Sequence, residues 1–72
     1  DSDEHIKQLR DHLDRLDKHL KKLKTFLENL RRILSENPED ERVKTVIKIF
    51  EDSVRKKERS VRIVKDVIDL SE

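Results

Sequence analysis

The chain contains no Cys, Gly, Met, Trp or Tyr, and only one Pro. Without cysteine there is neither a disulfide staple nor a thiolate metal site. Without glycine there is no flexible loop of the kind that cradles a phosphate. These absences argue against most enzyme classes. Ala is missing as well, which is odd in a sequence that reads as helix almost throughout, because alanine is the best helix former. No apolar run approaches the roughly 20 residues of a membrane span, and the acidic start Asp1, Ser2, Asp3, Glu4 is unlike a secretion signal. An excess of one charge is lacking too. Lys and Arg number 18 against 17 Asp and Glu, a formal charge of +1, which argues against a general nucleic-acid or membrane binder. What remains is a soluble 72-residue chain that is 49% charged and only 32% hydrophobic, with little material for a self-sufficient core.

The apolar residues that are present are strictly ordered. From Ile6 they fall at Leu9, Leu13, Leu16, Leu20, Leu23, Leu27, Leu30 and Leu34, in alternating steps of three and four. With Ile6 at heptad position a, the d series is Leu9, Leu16, Leu23 and Leu30. Position g reads His5, His12, His19, Phe26, Ile33, so the stripe is wider than a two-stranded zipper needs and suits a bundle.

The pattern stops at Ser35, Glu36, Asn37, Pro38, where proline fixes its own φ and disfavours helix at the residue before it. Asn37 suits an N-cap and Pro38 the first helical position. Glu39, Asp40 and Glu41 then place negative charge on the positive end of a second helix dipole. The expected domain is one all-α antiparallel hairpin, with a helix over about 3–35, a turn over about 36–38 and a helix over about 39–71. Each helix is on the order of 50 Å long at about 1.5 Å per residue. In the second helix the seam runs Val43, Ile47, Phe50, Val54, Lys57, Val61, Val64, Ile68, broken by Lys57 at a d position. Val46, Ser53, Ser60 and Val67 occupy g, and Ile49, Lys56, Ile63 and Leu70 occupy c. Ten of its twelve aliphatic and aromatic residues are Val or Ile, mediocre helix formers, so this helix depends on packing more than propensity.

Heptad echoes run through both helices: His12, Leu13, Asp14, Arg15, Leu16 against His19, Leu20, Lys21, Lys22, Leu23, and Ser53, Val54, Arg55 against Ser60, Val61, Arg62. Modular layers and ordinary coiled-coil periodicity both account for them. Arg55, Lys56, Lys57, Glu58, Arg59 read like a solvated tail yet sit mid-helix, while Asp66, Asp69 and Glu72 put acid at the negative end of the dipole. Each such mismatch costs only ~0.3 to 1 kcal/mol.

Three His at one heptad position invite metal, proton-transfer or hydrogen-bond roles. Seven-residue spacing separates them by roughly 10 Å along the axis, whereas chelation on one helix needs positions three or four apart. No metal site and no catalytic triad is therefore expected, and no cofactor. With equal helical rise, residue i lies level with about residue 77 minus i, which brings Ser60 level with Asp17 and His19 and Ser53 nearer Leu23 and Phe26. His5, His12, His19, Ser53 and Ser60 are candidates for a buried hydrogen-bond network, since every buried polar group must find a partner. The alternative is a half-exposed edge in contact with water. If the imidazoles are neutral members of a network, acid charges them and loosens the assembly. Lys18, Lys21, Lys22 and Lys24 gather opposite Arg55, Lys56, Lys57 and Arg59, a belt that reads as solvated or as facing an acidic partner helix. Few aromatics and a balanced total leave a nucleic-acid module unsupported.

On these residues the chain resembles de novo designed helical hairpins that pair as heterodimeric four-helix bundles with buried hydrogen-bond networks. The strict leucine heptads, the connection from Leu34 through Ser35, Glu36, Asn37, Pro38, Glu39, Asp40, Glu41 and Arg42 to Val43, and the block Asp11, His12, Leu13, Asp14, Arg15, Leu16 carry the resemblance over the whole chain. It implies an interaction module with no enzymatic activity, no natural compartment beyond the cytoplasm of an expression host, and one different designed hairpin as partner. No nucleic acid, membrane or small-molecule substrate is implied. The expected partner interface comprises Leu9, Leu13, Leu16, Leu20, Leu23, Phe26, Leu27, Leu30, Ile47, Phe50, Val54, Val61, Val64 and Ile68. A homodimer or higher homo-oligomer fits the same stripes, and an RNA-binding hairpin dimer is the remote rival. Burying a Leu fully stabilises by roughly 1.5 to 3 kcal/mol, so Leu20→Ala is expected to weaken assembly measurably in a dimer-affinity titration.

Overall fold

A computed structural model describes residues 2–72. Two helices, α1 (Ser2–Glu36) and α2 (Glu41–Ser71), pack against each other as an antiparallel hairpin. The rod measures 54 × 14 × 13 Å, close to the length that helical rise alone requires. The described residues form no strand.

The turn departs from expectation. α2 begins at Glu41, and its N-cap is Asp40 rather than Asn37. The carbonyl of Asn37 accepts the Asp40 N–H at 3.1 Å, closing a turn with Pro38 in the second position, where its fixed φ fits. The Asp40 carboxylate then accepts from the N–H groups of Arg42 and Val43 at 3.0 and 3.2 Å. A full negative charge at the positive end of the dipole makes a stronger cap than the neutral amide of Asn37. On the other side, the Asn37 N–H reaches the carbonyls of Ile33 and Leu34 and finishes α1. Neither helix has a basic residue in its last turn, as the acidic C-terminus of the sequence requires.

Leu16, Leu20, Leu27, Ile47, Val54 and Val61 form the buried cluster, with Leu13, Leu23, Leu30, Leu34, Val43, Phe50 and Val64 partly buried around it. Every member of the cluster and of its partly buried surround comes from the a and d positions of the two helices, as the heptad pattern requires. Burial across this seam is lopsided. The four buried residues of α2, Ile47, Val54, Val61 and Ile68, are all at position a, while Val43, Phe50, Lys57 and Val64 at d are only half-buried. On the helical wheel a borders e and d borders g, so one flank of the seam is covered and the other is open.

Asp40→Ala is expected to cost about 0.5–2 kcal/mol in chemical denaturation, with Asn37→Ala costing less. The opposite ranking would return the cap to Asn37.

Candidate functional site

The covered flank is closed by charge. Arg31 pairs with Glu51 at 3.1 Å, Lys24 with Glu58 at 3.9 Å, and Arg10 with Glu72. All six residues occupy position e, and each pair joins residue i to residue 82 minus i. The offset from the backbone register has a simple cause. Side chains lean toward the N-terminus of their own helix, so in an antiparallel pair the longer ones converge from staggered Cα positions. Asp17 and Lys65 occupy the intervening e positions with reversed polarity and line one shallow depression with Glu58 and Arg62. These ions are roughly half exposed, so each pair contributes at most about 1 kcal/mol. The ladder was not anticipated from sequence, although its signal, charged residues recurring at e on both helices, is visible there.

The open flank is of the other kind. Its g positions are His5, His12, His19, Phe26 and Ile33 on α1 and Val46, Ser53, Ser60 and Val67 on α2, without one Asp, Glu, Lys or Arg. In a chain that is 49% charged, nine uncharged positions on one flank mark a surface set apart from the solvated faces. Every exposed large hydrophobic residue among those described lies here or on the adjoining c stripe of α2. Phe26 and Ile33 are each 46% exposed and Val67 41%; at c, Ile49 is 59%, Ile63 56% and Leu70 88% exposed. The g and c positions of α2 therefore form a second seam in steps of three and four, pointing away from α1. Phe26 packs on Phe50 with ring centroids 4.8 Å apart and planes tilted by 51°. Beside the pair, His19, Lys22, Leu23, Phe26 and Phe50 line an open depression of about 370 Å³.

The expected interface residues divide accordingly. Leu16, Leu20, Leu27, Ile47, Val54, Val61 and Ile68 are buried within the hairpin itself, where they build its own seam. Leu9, Leu13, Leu23, Leu30, Phe50 and Val64 are half-buried, and Phe26 is exposed. Five of the most accessible apolar residues, Ile33, Ile49, Ile63, Val67 and Leu70, were not among those expected, though the c and g stripes containing them were legible.

His5, His12, His19 and Ser60 are exposed and Ser53 is half-buried. All five lie on the open flank. Among the described residues no hydrogen bond links these His to Ser53 or Ser60, and no polar side chain is buried. The Ser60 hydroxyl donates to the Lys56 carbonyl at 3.1 Å within its own helix, leaving its lone pairs to accept from a neighbour. Ser71 likewise donates to Val67 at 2.8 Å. No group of three or more His, Asp or Glu among the described residues converges to hold a metal ion.

The basic belt encircles the rod rather than lying along one face. Lys24 is paired with Glu58, and Arg55 and Lys56 with Asp52. The hydrogen bond and charge of Lys56, helped by Arg55, hold the Asp52 carboxyl below its ordinary value of 3.8. Its favourable contribution is thus present above that value and is lost as pH falls through the lowered one.

No helix among the described residues is long and apolar enough to cross a membrane. Compared with known proteins, the chain matches no family model, no curated protein and no solved structure.

A double-mutant cycle on Arg31→Ala and Glu51→Ala is expected to give a coupling of about 0.2–1 kcal/mol that shrinks at high salt. A coupling indifferent to salt would mean the pair acts through packing.

Proposed function

We propose that this hairpin is a protein-interaction module that associates selectively with a second helical hairpin, the two completing a four-helix bundle across the open flank. One observation carries the reading: the uncharged g flank and the c stripe of α2 collect every exposed large hydrophobic residue described. Covering them removes apolar surface from water at roughly 25 cal/mol per Å², and the half-buried d positions beneath gain their missing enclosure.

The polar residues on the same flank supply the choice of partner. His19 and Ser60 lie level near mid-length, flanked by the apolar Phe26, Ile33, Val46 and Ile49 toward the turn. A partner that satisfies these polar groups is accepted, and one that leaves them dry and unpaired is rejected at a cost of about 1–3 kcal/mol per group. The reading needs no chemical step, metal or cofactor. The resemblance to designed heterodimeric hairpins points to the same function.

Ile49→Glu with Ile63→Glu places charge on the exposed seam without touching the buried cluster. The double variant is expected to remain helical by circular dichroism, while binding of a labelled amphipathic helical peptide with Leu at a and d, followed by fluorescence anisotropy, is lost. Association that survives both charges would remove this flank from the interface.

A further inference from the structure

The charges that border the open flank are one-sided. Across positions c, d and g, residues 5–35 and 43–71 contain four cations, Arg15, Lys22, Lys56 and Lys57, and no anion. At the turn Glu36 on one helix is matched by Arg42 on the other, so the excess belongs to the middle of the rod. Lys57 is half-buried in the seam, level with Leu20. Lys56 has only an exposed pairing with Asp52 at 3.1 Å along its own helix, which leaves it available to another chain.

We infer that the occupant of this flank is a different helical chain, with carboxylates along the edges of its apolar seam at mid-length. This rests on the interaction reading above and specifies the partner's chemistry. The geometry disfavours a second copy whichever way it lies. Lys22, Lys56 and Lys57 sit near the midpoint of α1 and α2, so a fully overlapping copy, parallel or antiparallel, brings the basic zone level with itself. Like charges then face one another as solvent is withdrawn, where their repulsion grows. A carboxylate-bearing partner turns the same zone into an attraction and gives Lys57 a counter-charge under the covered surface.

The test uses two labelled helical peptides about four heptads long, each with Leu at a and d. One carries Glu and the other Lys at the positions flanking the central heptads. Fluorescence anisotropy with the full hairpin, at low and high salt, is expected to give binding of the Glu peptide on the order of tenfold tighter than the Lys peptide. The gap should narrow with salt. Arg15→Glu with Lys22→Glu, both on the exposed c stripe of α1, leaves two cations against two anions in the zone and should abolish the preference while circular dichroism stays helical. Equal binding of the two peptides would overturn the acidic-partner inference and leave the interaction module standing. A stable dimer of the hairpin alone that excludes both peptides would assign the flank to a second copy and overturn it as well. A hairpin that stays monomeric and binds neither peptide would overturn both.

Discussion

Two helices packed side by side share a seam with two flanks, and nothing in a hairpin compels both flanks to be treated alike. Here the e flank carries arginine, lysine and carboxylates that reach across and seal it, while the g flank carries none. The consequences run inward and outward from that asymmetry. Inward, the a column of α2 is buried and its d column is half-open. Outward, the apolar residues that the seam cannot accommodate gather on one side of the rod. A hairpin with charges on both flanks would be a finished surface; this one is finished on one side.

The energetic roles divide along the same line. Hydrophobic contact between the leucines of α1 and the β-branched residues of α2 holds the helices together, and it must also offset the modest helix propensity of so many Val and Ile residues. The half-exposed ion pairs add little stability, yet they occupy the e flank with groups that prefer water and so leave the g flank as the place where further apolar burial can occur. The polar His and Ser there cost nothing while solvated. Under the proposed pairing they would become discriminating, because an unpaired polar group is tolerated at a surface and penalised in a core.

Much of the fold was legible from Ile6 to Leu34, where steps of three and four admit no other regular structure, and the proline at position 38 located the turn. The cap was misplaced by three residues because Asn37 and Asp40 are both good capping types. Only the turn hydrogen bond between Asp40 and Asn37, a property of backbone geometry, selects between them. The division of the expected interface had a similar origin. Heptad letters identify Leu20 and Phe26 alike as stripe residues, but which is enclosed depends on the flank that the opposing helix covers, and that follows from antiparallel pairing and side-chain lean. The exposed c residues Ile49, Ile63 and Leu70 were visible as a stripe, without a second helix in view to show that they face away from it.

The reversed rung of Asp17 and Lys65 has a consequence for alignment. From Arg10 to Arg31 the signs at e are plus, minus, plus, plus; the matching positions of α2, from Glu72 back to Glu51, read minus, plus, minus, minus. A uniform ladder would look the same after a slip of one heptad. This string does not: moved one place in either direction, two of its three overlapping positions meet their own sign, Asp17 against Glu58 and Arg10 against Lys65 in one case, Asp17 against Glu72 and Lys24 against Lys65 in the other. The four signs work as a short code word with poor self-overlap, so a heptad slip of the seam, already opposed by the short turn, would also bring like charges together.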